Sequence, residues 1–480
     1  MKKKVILLLI LLIIPICVYA QPPEIPNGDM KPFDGDIPPE KPDGDMEPPD
    51  GEMPLENDMD TFDTTTYKYV KELTSNEEEK NYSSSEDGVI ALILKDNEYE
   101  INNCSIDKTG KLDIEDADFY GTNAGVLVYG NAILNINKCN VKSNGMYANG
   151  VFAYGGTINI NNTVIETLDN HSGGIMATGG GIINANNLTI TTYGDSSAAI
   201  RSDRGGGTIV VNKGVYETNG IGSPAVYSTA DVTINNAKLI SNASEGLILE
   251  GRNSITLNNV EVIDNNTELY LLSETYKNIF IYNSVNLGFN KEESTFTSKD
   301  STFKTDNGDT IFVTNAITKI NLENNKFINN SDSNVFLRIE SAKWGREGNN
   351  GGDVILNLNK QKIEGDIILD NLSKIDINID NKSLFIGSIN NSNDAKEVNL
   401  VISKNSKISL TNDTYVNSIL NGNINNSNIY SNGKYKLYVN GNEVSINNNK
   451  YISNNYIYYI VLGLILSIII IFIIKKRNSK

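Results

Sequence analysis

The chain is 480 residues long, which at ~150 residues per domain points to several ordinary domains. Against 41 Lys and Arg stand 59 Asp and Glu, a net charge of -18 that argues against any partner held by its phosphates, so no nucleic acid is expected. The only histidine is His171, which leaves zinc hydrolases, Ser-His-Asp enzymes and haem proteins without residues they need.

In chain order, Lys2, Lys3 and Lys4 lead into an apolar run over residues 5–17, and Val18-Tyr19-Ala20 supplies a small-residue exit. This pattern predicts a secretory signal peptide over residues 1–20. Residues 21–60 then hold ten Pro and thirteen acidic residues against Lys31 and Lys41, a local charge of -11. Such a stretch cannot bury enough apolar surface to fold, so residues 21–84 are expected to be an extended acidic arm.

The body reads as a repeat. Asn makes up about one residue in seven, nearly all after position 75, and composition bias of this kind marks an array of like units. The phrase apolar-Asn-apolar-Asn recurs at Leu134-Asn-Ile-Asn, Ile158-Asn-Ile-Asn and, with Thr first, at Val232 and Ile255. Its corner Asn returns at 102, 137, 161, 186, 212, 235 and 258, with weaker copies at Glu323 and Asn359. Short β-branched strands at this period, with no helical pattern between them, predict one solenoid coil per repeat. Apolar alternation changes parity across each Asn pair, which marks a two-residue corner whose left-handed backbone Asn tolerates. Gly179-Gly180-Gly181 and Gly205-Gly206-Gly207 mark a second corner. The expected fold is all-β, a right-handed parallel β-helix over residues 85–450, stacking roughly 14 coils at ~4.8 Å each.

Cys104 and Cys139 both lie two residues past a corner Asn, so they occupy one site on adjacent coils, as either two stacked thiols or a disulfide. The loop between these coils carries Asp107, Asp113, Glu115, Asp116 and Asp118. Asp113, Asp116 and Asp118 are the candidate ligands for a calcium ion, although the spacing lacks the EF-hand pattern.

On the strand after the variable loop, alternation points one column away from the core: Leu127, Phe152, Met176, Arg201, Tyr227, Ile248, Phe280, Phe312 and Phe336. The next outward column is Tyr129, Tyr154, Thr178, Asp203, Thr229, Glu250, Tyr282, Thr314 and Arg338. Exposed aromatic faces cover sugar CH surfaces while nearby hydroxyls, carboxylates and Arg take sugar OH groups, so this strip predicts an extended polysaccharide ligand. The opposing expectation is that variable loops, or the long insert 265–277, fold over the strip as a satellite core. A charged cluster, Arg201-Ser202-Asp203-Arg204 with Glu250 and Arg252, breaks the apolar pattern.

Residues 457–474 are uncharged and apolar, flanked by Tyr456, Tyr458 and Tyr459 on one side and Lys475-Lys476-Arg477 on the other. This predicts a membrane-crossing helix over 456–474 with a cytoplasmic basic tail, 475–480, and the body outside the cell.

Corner Asn, Gly turns and an outward strip together resemble the β-helix superfold of pectate lyases, polygalacturonases and adhesin-like surface proteins. Ser197-Ala-Ala-Ile-Arg-Ser-Asp-Arg and, one coil on, Gly222-Ser-Pro-Ala-Val-Tyr-Ser are also similar to exported β-helix proteins of anaerobes, a resemblance that covers about 85–450 and implies no activity. The chain lacks the Asp pair and catalytic His of the polygalacturonases. The expected protein is a membrane-anchored, non-enzymatic surface protein that binds extracellular polysaccharide or a neighbouring cell. The enzymatic alternative is a calcium-dependent polysaccharide lyase, with Arg201 or Arg204 as base and Asp203 and Glu250 holding metal.

Overall fold

The computed structural model describes residues 62–451, apart from 115, 271–272, 285–292 and 421–425. The signal segment, most of the acidic arm and the apolar segment 456–474 lie outside the described residues. Among those that are described, no helix is long and apolar enough to cross a membrane.

The described body is an all-β parallel solenoid of about 15 turns. A 12-stranded parallel sheet runs along it from Lys68–Glu72 through Val126–Tyr129, Ile200–Ser202 and Leu247–Glu250 to Asp366–Leu369. In most coils the other two strands, such as Ile133–Asn137 and Asn140–Ser143, belong to a second assembly of 22 strands that bends at the Asn corner; in the last coils the strands after that corner, from Lys362–Glu364 to Ile429–Tyr430, form a separate four-stranded sheet. In two coils a single strand, Gly181–Thr192 or Gly207–Thr218, continues unbroken around that corner. Strand register is constant over long stretches: Asn137, Asn161, Asn186, Asn212, Asn235 and Asn258 are successive Cα partners.

The stack starts earlier than the composition suggests. Lys68–Glu72 already pairs with Val89–Leu94, and Tyr67, Leu73 and Tyr82 are buried, so the boundary lies near residue 67 instead of 85. The physical reason is a change in Pro content: Pro is absent from residues 55–223, so nothing after about residue 60 prevents ladder pairing. At the other end the coils close with an antiparallel hairpin, Leu437–Val439 with Asn442–Val444. Its turn is Asn440-Gly441, both with positive φ, which suits the two-residue turns that match strand twist.

The left-handed residue of each Asn corner is the one after the repeat Asn: Asn103, Lys138, Asn162, Asn187, Lys213, Asn236 and Asn259 all have φ between 49° and 62°. The repeat Asn itself ends the strand with its side chain outward. Amide ladders then run along the stack, with Asn187 Nδ2 donating to Asn162 Oδ1 at 2.9 Å and Asn258 Nδ2 to Asn235 Oδ1 at 2.9 Å. Cys104 and Cys139 form a disulfide between adjacent coils, with Cα atoms 4.5 Å apart.

Inside, Ile, Val and Leu columns fill one continuous core. One inward column is polar: Ser84, Ser143, Thr167, Thr192, Thr218 and Ser241. Several of these hydroxyls cap the chain's return to the first sheet, as when Ser84 Oγ donates to the Val89 carbonyl at 2.7 Å and Ser241 Oγ to that of Ser244 at 2.9 Å.

Candidate functional site

The outward strip is not a solvent-facing track. Phe152 is 0% exposed and packs with Leu127, Met176, Tyr67, Ile90 and Ile93 in a satellite core. The cover comes from residues 62–67 and the short helix Asp116–Tyr120: Phe62 stacks on Tyr120 at 4.3 Å, and the Tyr67 hydroxyl donates to the Tyr120 carbonyl at 2.7 Å. Tyr129 and Tyr154 flank this core half-buried, with the Tyr154 ring edge-on to Tyr120. Farther along, Ile248, Phe280, Tyr282 and Phe312 form a second satellite core under Ala342 and Trp344, with Tyr227 against it. Phe280 is only 4% exposed. A continuous exposed aromatic strip would expose several hundred Å² of apolar surface to aggregation, and the loops remove that hazard.

Phe336 departs further from expectation. A register shift between Val335 and Leu337 places Leu337 opposite Ile311 and Arg338 opposite Phe312. Phe336 therefore turns into the main core, edge-on to Phe327, and Arg338 takes the outward position.

Between the two covered stretches the loops leave a pocket of about 320 Å³. One wall is a column of corner residues. Tyr147, His171, Ser196 and Gly222 occupy equivalent left-handed positions on four successive coils, with φ of 57°, 54°, 53° and 62°. That backbone sends their side chains outward in a row, so Tyr147 and His171 stack face to face at 4.4 Å. Gly222 leaves the space that the Tyr270 ring fills, and the Tyr270 hydroxyl meets Ser196 Oγ at 2.6 Å. The sheet contributes Arg201, Tyr227, Ile248 and Phe280 from one outward column and Tyr282 from the next, and Trp344 and Phe119 complete the lining from the loops.

The floor is charged. Arg201 Nη1 lies 3.0 Å from Asp118 Oδ1 and Nη2 lies 3.1 Å from Asp203 Oδ2, with the guanidinium side chain 12% exposed. Burial alone would lower its pKa, but the two carboxylates outweigh that and hold it above the usual Arg value. His171 Nδ1 is 3.6 Å from the other Asp118 oxygen. Glu250 accepts from the hydroxyls of Tyr227, Tyr282 and Ser284, the Tyr282 contact being 2.9 Å. Burial, then Tyr282 and Glu250, push the Tyr227 hydroxyl far above the ordinary range, and burial followed by Glu250 does the same for Tyr282 against an opposing hydrogen bond from Tyr227, so both remain protonated. Lys277, fully buried, reaches Glu245 at 2.8 Å and lies 4.3 Å over the Phe280 ring.

The structure thus joins Arg201, Asp203, Tyr227, Glu250, Phe280 and Tyr282 in one region, with Tyr227 linking the Arg201 and Glu250 coils. It leaves Phe152, Tyr129, Tyr154 and Phe312 in satellite packing and Phe336 in the core. Arg204 is exposed and its guanidinium stacks 3.8 Å over Phe119. The calcium candidates part company: Asp113 is exposed, Asp118 is buried against Arg201, and the Asp116 side chain lies outside the described residues. Among the described residues no group of three His, Cys, Asp or Glu could hold a metal ion.

Sequence reasoning missed Asp118, Tyr147, Glu245, Tyr270 and Trp344 as pocket residues. Surplus coil length was the available signal: the pocket loops sit where first-sheet partners lie 34 and 32 residues apart, Leu92 to Val126 and Leu247 to Ile279, against 24 for Val151 to Ile175. No family model, curated protein or solved structure matches the chain.

Proposed function

We propose that the pocket binds the end of a carbohydrate chain, and that the protein is a non-enzymatic binding protein displayed outside a membrane by the apolar segment 457–474. The observation that carries this reading is the pocket itself, lined by aromatic side chains from the corner, the sheet and the loops together with charged groups that already have charged partners. Ligand pockets of about 300 Å³ and upward combine such apolar walls with a few orienting polar groups, and aromatic faces suit the CH side of a sugar ring. The covered strip supports recognition of one or two rings in place of an extended polymer.

The same geometry favours binding over proton abstraction. Arg201 shares its charge with two carboxylates and is held protonated, whereas a general base must lose its proton near the working pH.

Trp344 is the chain's only tryptophan and lines the pocket, so its fluorescence reports occupancy directly. Titration of the full-length protein with neutral oligosaccharides is expected to shift that emission saturably. Tyr227→Ala is expected to weaken binding about tenfold or more, in line with loss of a central aromatic contact. Unchanged affinity in a folded Tyr227→Ala protein would remove the pocket from the binding reaction.

A further inference from the structure

We infer that the pocket selects a neutral or amine-bearing sugar and rejects uronates, an inference that rests on the carbohydrate reading above and names its ligand class. Two carboxylates, Asp118 and Glu245, and one cation, Arg201, line the pocket; directly behind them Asp203 pairs with Arg201, Glu250 holds the tyrosine hydroxyls and the buried Lys277 pairs with Glu245, so four carboxylates stand against two cations. Each cation is already charge-paired with carboxylate, Arg201 with Asp118 and Asp203 and Lys277 with Glu245; of the Arg201 nitrogens Nη2 donates to Asp203, while the buried Nη1 lies 3.0 Å from Asp118 without a hydrogen bond. The hydroxyl protons of Tyr227 and Tyr282 are likewise committed, both to Glu250.

What remains to face a ligand is mostly acceptor capacity: carboxylate lone pairs and the oxygens of tyrosines whose protons point elsewhere. A ligand rich in donors, whether hydroxyl, acetamido N–H or ammonium, completes these groups. A ligand carboxylate meets like charge and finds both cations already charge-paired with carboxylate, which is how a site discriminates by repulsion as well as attraction.

The test titrates the full-length protein at pH 7 and low salt with three disaccharides, of N-acetylglucosamine, glucosamine and galacturonate, following Trp344 emission. Binding of either of the first two at least about tenfold tighter than the galacturonate disaccharide is expected, with the gap narrowing as salt screens the repulsion. Equal or tighter galacturonate binding overturns the inference while the carbohydrate reading stands. Silence with all three overturns the carbohydrate reading and the inference with it. Asp118→Asn, which releases one face of Arg201, should raise galacturonate affinity, and Glu245→Gln should do the same through Lys277. The two variants protect the test against a failure of either to fold, and an unchanged preference in both folded proteins overturns the inference.

Discussion

Asp264 stands where neighbouring coils place serine or threonine: its partners in the column are Ser241 and Thr305. It is fully buried, its Oδ1 accepts only the Asn266 N–H at 3.2 Å, and its Oδ2 has no hydrogen-bond donor. Asn266 Oδ1 and Asn278 Oδ1, also buried, share that lack, so this turn holds three oxygens in need of protons. Burial, reinforced by Glu245 and Asp306, raises the Asp264 pKa well above the ordinary carboxylate value. A carboxyl that is protonated when folded and ionised when unfolded contributes stability below its unfolded pKa of ~3.9, and that contribution is lost as pH rises toward the folded value. Asp264→Thr should therefore stabilise the protein at pH 7 by about 1–3 kcal/mol and flatten the fall in stability above pH 4. Denaturant unfolding of both proteins from pH 4 to 8 checks this, and a variant less stable at pH 7 contradicts it.

Among elements, the strands were legible and the loops were not. The Asn period, the parity change and the two corners can be read from the sequence because each is a local steric demand repeated many times. The start near residue 67 was masked by composition averaged over residues 21–84, and the turn of Phe336 into the core depends on a local register shift that alternation cannot foresee. Sequence alternation also assigns Phe152 and Phe280 correctly to the outer face of the sheet, yet it says nothing of what lies over that face. The loops that cover them have no period, and their placement is decided by contacts such as Phe62 on Tyr120 and Trp344 on Tyr282. Gly222 is the element-level test of the pocket wall. At φ +62° an alanine incurs the left-handed penalty, and its Cβ would collide with the Tyr270 ring. Gly222→Ala is expected to cost about 1–2 kcal/mol and to weaken ligand binding by displacing Tyr270. Ser196→Gly, at the preceding corner, relieves backbone strain and serves as the contrast, removing the Tyr270 hydroxyl contact without a clash.

At the scale of the whole described body, the strands of each coil pair only with those of adjacent coils, so stability is largely a chain of nearest-neighbour terms to which the covering loops add longer contacts such as Tyr270 on Ser196. The Cys104–Cys139 bridge strengthens one such term near the start of the stack. Replacing both cysteines with serine should reduce amide-exchange protection in the coils around residues 89–143 and leave the coils after residue 350 unchanged. Uniform loss along the chain would show that the coils unfold as one unit instead.

The pocket's two ends are set by loops far apart in sequence, Phe119 in one and Trp344 in the other, mounted on the same regularly spaced ladder. The distance between them is thus counted in rungs. Gain or loss of one whole coil between Pro224 and Ile248 would move the ends by ~4.8 Å while every other coil kept its register, so the fold holds a ruler on which ligand length can be reset by duplication or deletion of a single repeat.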